Sequence, residues 1–251
     1  VGKGGLIALA GFLHKNFDIQ WAWSLVFYGL MALFMGLALY HRFILPRPSE
    51  DAENAQVSAG HLLRSFGQTF ISSLSFFKKE QALTTICFLL LFRLPEALII
   101  PISQLFLQAS KAKGGLALSE IEYGTVNGVV GVAGLLIGGV IGGLMISRDG
   151  LKRWIWPMTA AITLPNLAYV YLAYMLPDNV LAISIAVFIE NFGYGFGFSA
   201  YMLFMIYFSR GEHKTSHYAL CTGFMALSMM IPGLFAGALA QAVGYRWFFV
   251  I

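Results

Sequence analysis

The amino-acid sequence predicts an all-α, polytopic helical membrane protein, on three observations. Of its 251 residues, 58% are hydrophobic and only 11% are charged, whereas a soluble domain carries about a quarter charged residues. The apolar residues gather in runs long enough for a helix to cross about 30 Å of hydrocarbon, which takes roughly 20 residues. The net charge of +4 comes from Lys and Arg placed mostly in short loops between those runs. There they set topology, whereas a nucleic-acid face would need them clustered on one soluble surface.

Taken in order, the first apolar run, residues 4–13, follows Val1, Gly2 and Lys3 and is half a crossing long. Full runs follow at about 20–45, 82–107, 124–146, 154–176, 180–208 and 218–241, and another begins at Trp247 after a turn at Gly244. The partial runs at both ends are expected of a piece of a longer protein. Alternate loops divide the cations unevenly: Arg42, Arg47, Arg64, Lys78, Lys79, Arg148, Lys152, Arg153, Arg210 and Lys214 belong to the richer side, Lys15, Lys111, Lys113 and Arg246 to the poorer. The positive-inside rule makes the richer side cytoplasmic. Trp21, Trp23, Trp154 and Trp156 open two of the runs, at the headgroup level that indoles favour.

Residues 46–81 differ from the other connections. Pro46, Pro48 and the acidic Glu50, Asp51 and Glu53 come first; then Leu62, Leu63, Phe66, Phe70, Leu74 and Phe77 recur at spacings of three and four. That is the pattern of an amphipathic helix lying in the interface, tethering two bundles. The run at 124–146 carries Gly124, Gly128, Gly131, Gly134, Gly138 and Gly142 at helical spacing, with Gly139 and Gly143 as a second pair. Small residues let helix backbones approach closely in lipid. Gly233 and Gly237 after Pro232 repeat the pattern.

Three ionisable residues lie deep in apolar runs, each costing about 2.5–3.5 kcal/mol at a helix centre. Arg93 and Glu96 share one helical face with Ser103 and Gln104, bracketed by Pro95 and Pro101. Kinked helices near the midplane are where transporters place substrate and ion sites; an internal ion pair that fixes packing is the other reading. Glu190, Tyr194, Gly197 and Tyr201 share a face of the run at 180–208, with Asn191 alongside. In a dry interior Glu190 is a candidate proton carrier; paired with Arg93 it is a latch. The candidate substrate- or proton-binding residues are therefore Arg93, Glu96, Gln104, Glu190, Asn191, Tyr194 and Tyr201.

Cys87 and Cys221 lie in apolar stretches and support no disulfide framework. All five histidines fall at loops or helix ends. His213 and His217 have metal-ligand spacing, but with no third ligand beside them a solvated loop is expected. No phosphate loop or dinucleotide fingerprint is present, so no cofactor and no metal is expected. An intramembrane transferase would have only His213, His217 and Glu212 to work with, and a channel would need a continuous polar path that the mid-segment stripes do not supply.

The stretch GGLMISRDGLKR, Gly142 to Arg153, resembles the loop signature of the major facilitator superfamily. It places Arg148, Gly150, Lys152 and Arg153 on the glycine and basic positions, with Ser147 where the family often has aspartate and Asp149 two residues on. The strings FRLPEALIIPISQLFL, GLALSEIEYGTVNGVVG, IENFGYGFGF and HKTSHYALCTGFMAL are similar to bacterial muropeptide permeases of the AmpG type and, more distantly, to acetyl-coenzyme A transporters. The resemblance implies a major-facilitator-like bundle running from the end of helix five to the start of helix twelve. Residues 1–45 would end an N-terminal bundle, 46–81 link the bundles, and 82–251 form a six-helix bundle truncated in its last helix. It implies a monomeric, proton-coupled permease of the bacterial inner membrane carrying a muropeptide or sugar-like solute. Arg93, Glu96, Glu190, Asn191 and Tyr194 would line its central cavity. Arg148, Asp149, Gly150, Lys152 and Arg153 would form a cytoplasmic loop gate.

Overall fold

The computed structural model describes residues 2–45, 67 and 71–251 of the chain, and among these there is helix and turn but no strand. The linker helix expected between residues 58 and 77 falls largely outside the described residues. Its end is seen, with residues 71–74 helical and Ser75–Lys78 a 3-10 turn.

The helices are α1 (Gly2–His14), α2 (Ile19–Ile44), α3 (Ala82–Leu91), α4 (Leu94–Gln108), α5 (Glu120–Thr125), α6 (Val132–Asp149), α7 (Leu151–Thr163), α8 (Leu167–Met175), α9 (Val180–Phe208) and α10 (Lys214–Phe248). Among the described residues five segments are long and apolar enough to cross a membrane: Ile19–Ile44, Ala82–Gln108, Glu120–Asp149, Val180–Phe208 and Lys214–Phe248. The chain is a multi-pass, all-α membrane protein. The run at 154–176 is not one helix, because a 3-10 turn at Leu164–Asn166 separates α7 from α8. Pro165 lacks the amide hydrogen a continuing helix would use, and its ring opposes the carbonyl four residues back. The turn expected at Gly244 is present, with φ 76° and ψ 162°.

Two compact units result, one of Leu9–Ile71 and one of Val1–Ala8 with Ser72–Ile251. In the first, α2 exposes Phe27, Phe34 and Phe43, as a lipid-facing helix does. The second is organised on α9, which glycines bring close to two neighbours. A Cβ on Gly134 or Gly138 of α6 would lie 2.7 Å from the Phe188 carbonyl oxygen or 2.1 Å from that of Phe192. On α9, a Cβ on Gly193 would meet the Ala161 carbonyl oxygen at 2.2 Å and one on Gly197 the Met158 carbonyl oxygen at 2.6 Å, both on α7. The glycine string in α6 is thus backbone contact, as its spacing predicts. Gly143 and Gly237 face open space instead, and Gly233 makes only an ordinary 3.6 Å contact.

Candidate functional site

The site begins with a break in a helix. Pro95 stands in the first turn of α4, where its ring would clash with the Leu91 carbonyl if α3 continued. The chain therefore leaves α-geometry at Arg93, φ −105° and ψ 10°, and starts again. Pro101 stays inside α4. The break frees carbonyls at the end of α3, and Tyr201 of α9 donates its hydroxyl to one of them, Leu89, at 2.8 Å. Tyr201 is fully buried and its ring stacks on Phe92 at 5.0 Å. It holds the break in place.

Arg93 is 6% exposed. Its Nη2 donates to the Tyr194 hydroxyl, and its guanidinium lies 5.5 Å from the centre of the Tyr194 ring and 5.0 Å from that of Phe198, within reach of cation–π attraction. Glu96, one turn on, is 1% exposed, and neither of its carboxyl oxygens has a hydrogen-bond partner. Asn166, in the turn between α7 and α8, lies beside Glu96, but its amide nitrogen closes no hydrogen bond. Glu190 of α9 is 8% exposed and accepts from the Asn191 amide at 2.7 Å, while that amide also donates to the Val187 carbonyl at 2.9 Å. Tyr169 of α8 lies beside Glu190 and Ser103.

Among the described residues no carboxylate comes within 4.0 Å of an Arg93 nitrogen, and the ion pairs join Lys111 to Asp178, and Asp149 to Arg148 and Arg153. Neither the Arg93–Glu96 pair nor the Arg93–Glu190 latch is formed. The structure brings together Arg93, Glu96, Glu190, Asn191 and Tyr194. Gln104 lines a cleft of about 540 Å³ with Gln108, Ser110, Lys113 and Tyr245.

Several neighbours went unnoticed in the sequence. Asn127 donates to the Tyr123 hydroxyl at 2.9 Å in the π-helical segment Val126–Gly131, which joins α5 to α6. A Cβ on Gly131 would come 3.2 Å from the Asn191 amide nitrogen, so Asn127, Gly131 and Asn191 meet there. The usable signal for Asn127 and Asn166 was a carboxamide inside an apolar run, where a polar group needs a partner.

At the α6–α7 turn, Gly150 takes φ 83°, a conformation that suits glycine. Asp149 accepts from the Trp154 indole at 3.0 Å and lies 3.8 Å from both Arg148 and Arg153. Both arginines are mostly exposed and Lys152 is exposed, so these pairs add little stability.

The solvated reading of His217 is corrected. His217 is 4% exposed, packed against the ring of Phe76. Ser75 donates its hydroxyl to the Ser72 carbonyl at 2.6 Å, so His217 Nε2 must be the donor in its 2.8 Å contact with Ser75. The linker's apolar end covers the histidine that the loop was expected to leave in water. Beside it Lys79 caps the end of α9, donating to the carbonyls of Phe208 at 2.5 Å and Arg210 at 2.8 Å, and burial holds its ammonium below the ordinary lysine range.

Against known proteins, no family model matches the chain. Curated relatives do match over nearly all of it. "Putative transporter AmpG 4" of Rickettsia conorii is 23% identical over 248 residues, 98% of this chain and 57% of that protein. The Rickettsia felis protein of the same name is 24% identical over the same shares. The "Anhydromuropeptide permease" of Escherichia coli K12 is 22% identical over 224 residues, 89% of this chain and 43% of that protein. The chain is similar to AmpG-type permeases. Their names support a transport role, and the chain spans little more than half the length of these relatives at most.

Proposed function

We propose that the protein is a proton-coupled secondary transporter of the major facilitator type, acting as a monomer in a bacterial inner membrane. It moves a polar or amphiphilic solute of the muropeptide or sugar class by rocking one helical bundle against another. The relatives named as AmpG transporters and anhydromuropeptide permease support the cargo class. The observation that carries the reading is the group Arg93, Glu96 and Glu190, buried between a broken helix and α9 without an ion pair. Ionisable groups are not kept in hydrocarbon without a use. A carboxyl with no cation against it is one that can take up and release a proton as its surroundings open and close. Asn191 and Tyr194 hold Glu190 and Arg93 in place, and the Arg148–Arg153 loop gates the cytoplasmic end.

The experiment is accumulation of labelled anhydromuropeptide in proteoliposomes under an imposed proton gradient, with and without Glu190→Gln. Uptake that follows the gradient in the wild type and collapses in the variant is the expected result. Uptake indifferent to the gradient removes the coupling, and no uptake of any muropeptide removes the cargo.

A further inference from the structure

We infer that Asn166 and Tyr169, on the broken α7–α8 segment, complete with Glu96 and Glu190 a proton-holding compartment inside a single bundle, from which the cargo is excluded. The inference rests on the transport reading and adds that proton and cargo occupy separate places. Glu96 is 1% exposed, Tyr169 3% and Glu190 8%. A solute of many polar atoms needs an open cleft, and none of these three side chains is more than 8% exposed.

The unmet valences define the compartment. Glu96 has two buried oxygens without donors, and Asn166 has a buried amide nitrogen without an acceptor beside them. Buried polar groups in folded proteins are almost always paired, so these atoms point to two states. As a carboxylate, Glu96 accepts only and draws the Asn166 amide into a hydrogen bond. As an acid, it carries its own donor and releases it. Glu190 lies close enough that two negative charges would repel. Among the described residues the other ionisable groups facing Glu96 or Glu190 are Arg93 at the start of α4, Tyr169 of α8 and Tyr194 of α9, with Tyr123 of α5 behind Tyr169.

Asn166 is well placed to pass on the change. It follows Pro165 in the turn where α7 ends, and the Pro165 ring sits against α9, its Cγ 2.6 Å from where a Cβ on Gly193 would stand. A movement of this turn toward Glu96 therefore bears directly on α9. Asn166 acts as a positioning residue that reads the protonation of Glu96 and communicates it to the helix carrying Glu190.

The test is infrared titration of the carboxyl band of the purified protein in lipid, from about pH 4 to about pH 9, alongside binding of labelled anhydromuropeptide. The variants are Glu96→Gln, Asn166→Ser and Asn166→Leu. A protonated carboxyl that titrates in the wild type, disappears in Glu96→Gln and shifts its midpoint in either Asn166 variant is expected. Gradient-driven accumulation should fall about tenfold or more in Glu96→Gln while binding changes less than about threefold. Loss of binding in Glu96→Gln would make Glu96 a cargo contact and overturn the separation. A carboxyl midpoint untouched by both Asn166 variants would overturn the compartment. If the carboxyl responds as expected but the wild type binds no anhydromuropeptide, the compartment stands and the cargo reading alone falls.

Discussion

Replacing Gly138 by alanine should destabilise the protein by far more than its size suggests. The added Cβ would lie 2.1 Å from the Phe192 carbonyl oxygen and 3.0 Å from the Phe192 carbonyl carbon and the Phe196 nitrogen, where ordinary contact begins at 3.4 Å. All three are backbone atoms, so no side chain can rotate away. The two helices must part by roughly 1 Å or distort, and overpacking of this kind costs about 1–3 kcal/mol. Alanine returns roughly 0.5–1 kcal/mol through its better helix propensity, which leaves a clear net loss. Gly143→Ala is the control: nothing lies within 4 Å of its Cβ, so it should be neutral or slightly stabilising. Thermal unfolding of the detergent-solubilised protein, followed by tryptophan fluorescence, reads both. A Gly138→Ala protein that melts with or above the wild type would refute the close crossing of α6 and α9. Because Phe192 is two residues from Glu190, the same variant should also slow transport.

The two tyrosines of α9 should separate by assay. Tyr194→Phe keeps a ring beneath Arg93 but removes the hydroxyl that accepts from its guanidinium. Stranding a buried charged donor costs about 1–3 kcal/mol, and a drop in transport of about fivefold or more is expected in vesicle uptake; a wild-type rate would show that the contact does not matter. Tyr201→Phe removes the hydrogen bond to Leu89; it should cost about 1 kcal/mol of stability, seen as a lower melting point, and leave solute affinity unchanged, and a large affinity loss would return Tyr201 to the binding residues.

The crossings and the buried charges were legible in the sequence because each depends on local composition. An apolar run of the right length has few alternatives in lipid, and the glycine spacing of α6 identifies a contact face before the partner is known. What was not legible depends on which helix lies opposite. The face shared by Glu190, Gly197 and Tyr201 reads as one polar stripe, yet Gly197 packs on Met158 and Ile162 of α7 while Tyr201 satisfies a carbonyl of α3. His217 looked solvated because its neighbours in the chain are polar, and the return of Ser75 and Phe76 from the linker helps to bury it.

The same limit bears on how the site works. Arg93 and Glu96 sit three residues apart, the spacing at which an ion pair forms on a regular helix. Pro95 lies between them and takes Arg93 out of the helix, so the guanidinium turns to Tyr194 and Phe198 on α9 while Glu96 faces Asn166 on the α7–α8 turn. One proline thus divides what would have been a neutral pair into a fixed cation and a carboxyl without a partner. A fixed cation is a place to hold a charge, and a carboxyl without a partner is a place to exchange a proton. On the proposed reading, the break at residue 93 is therefore the feature on which proton coupling in this bundle would depend.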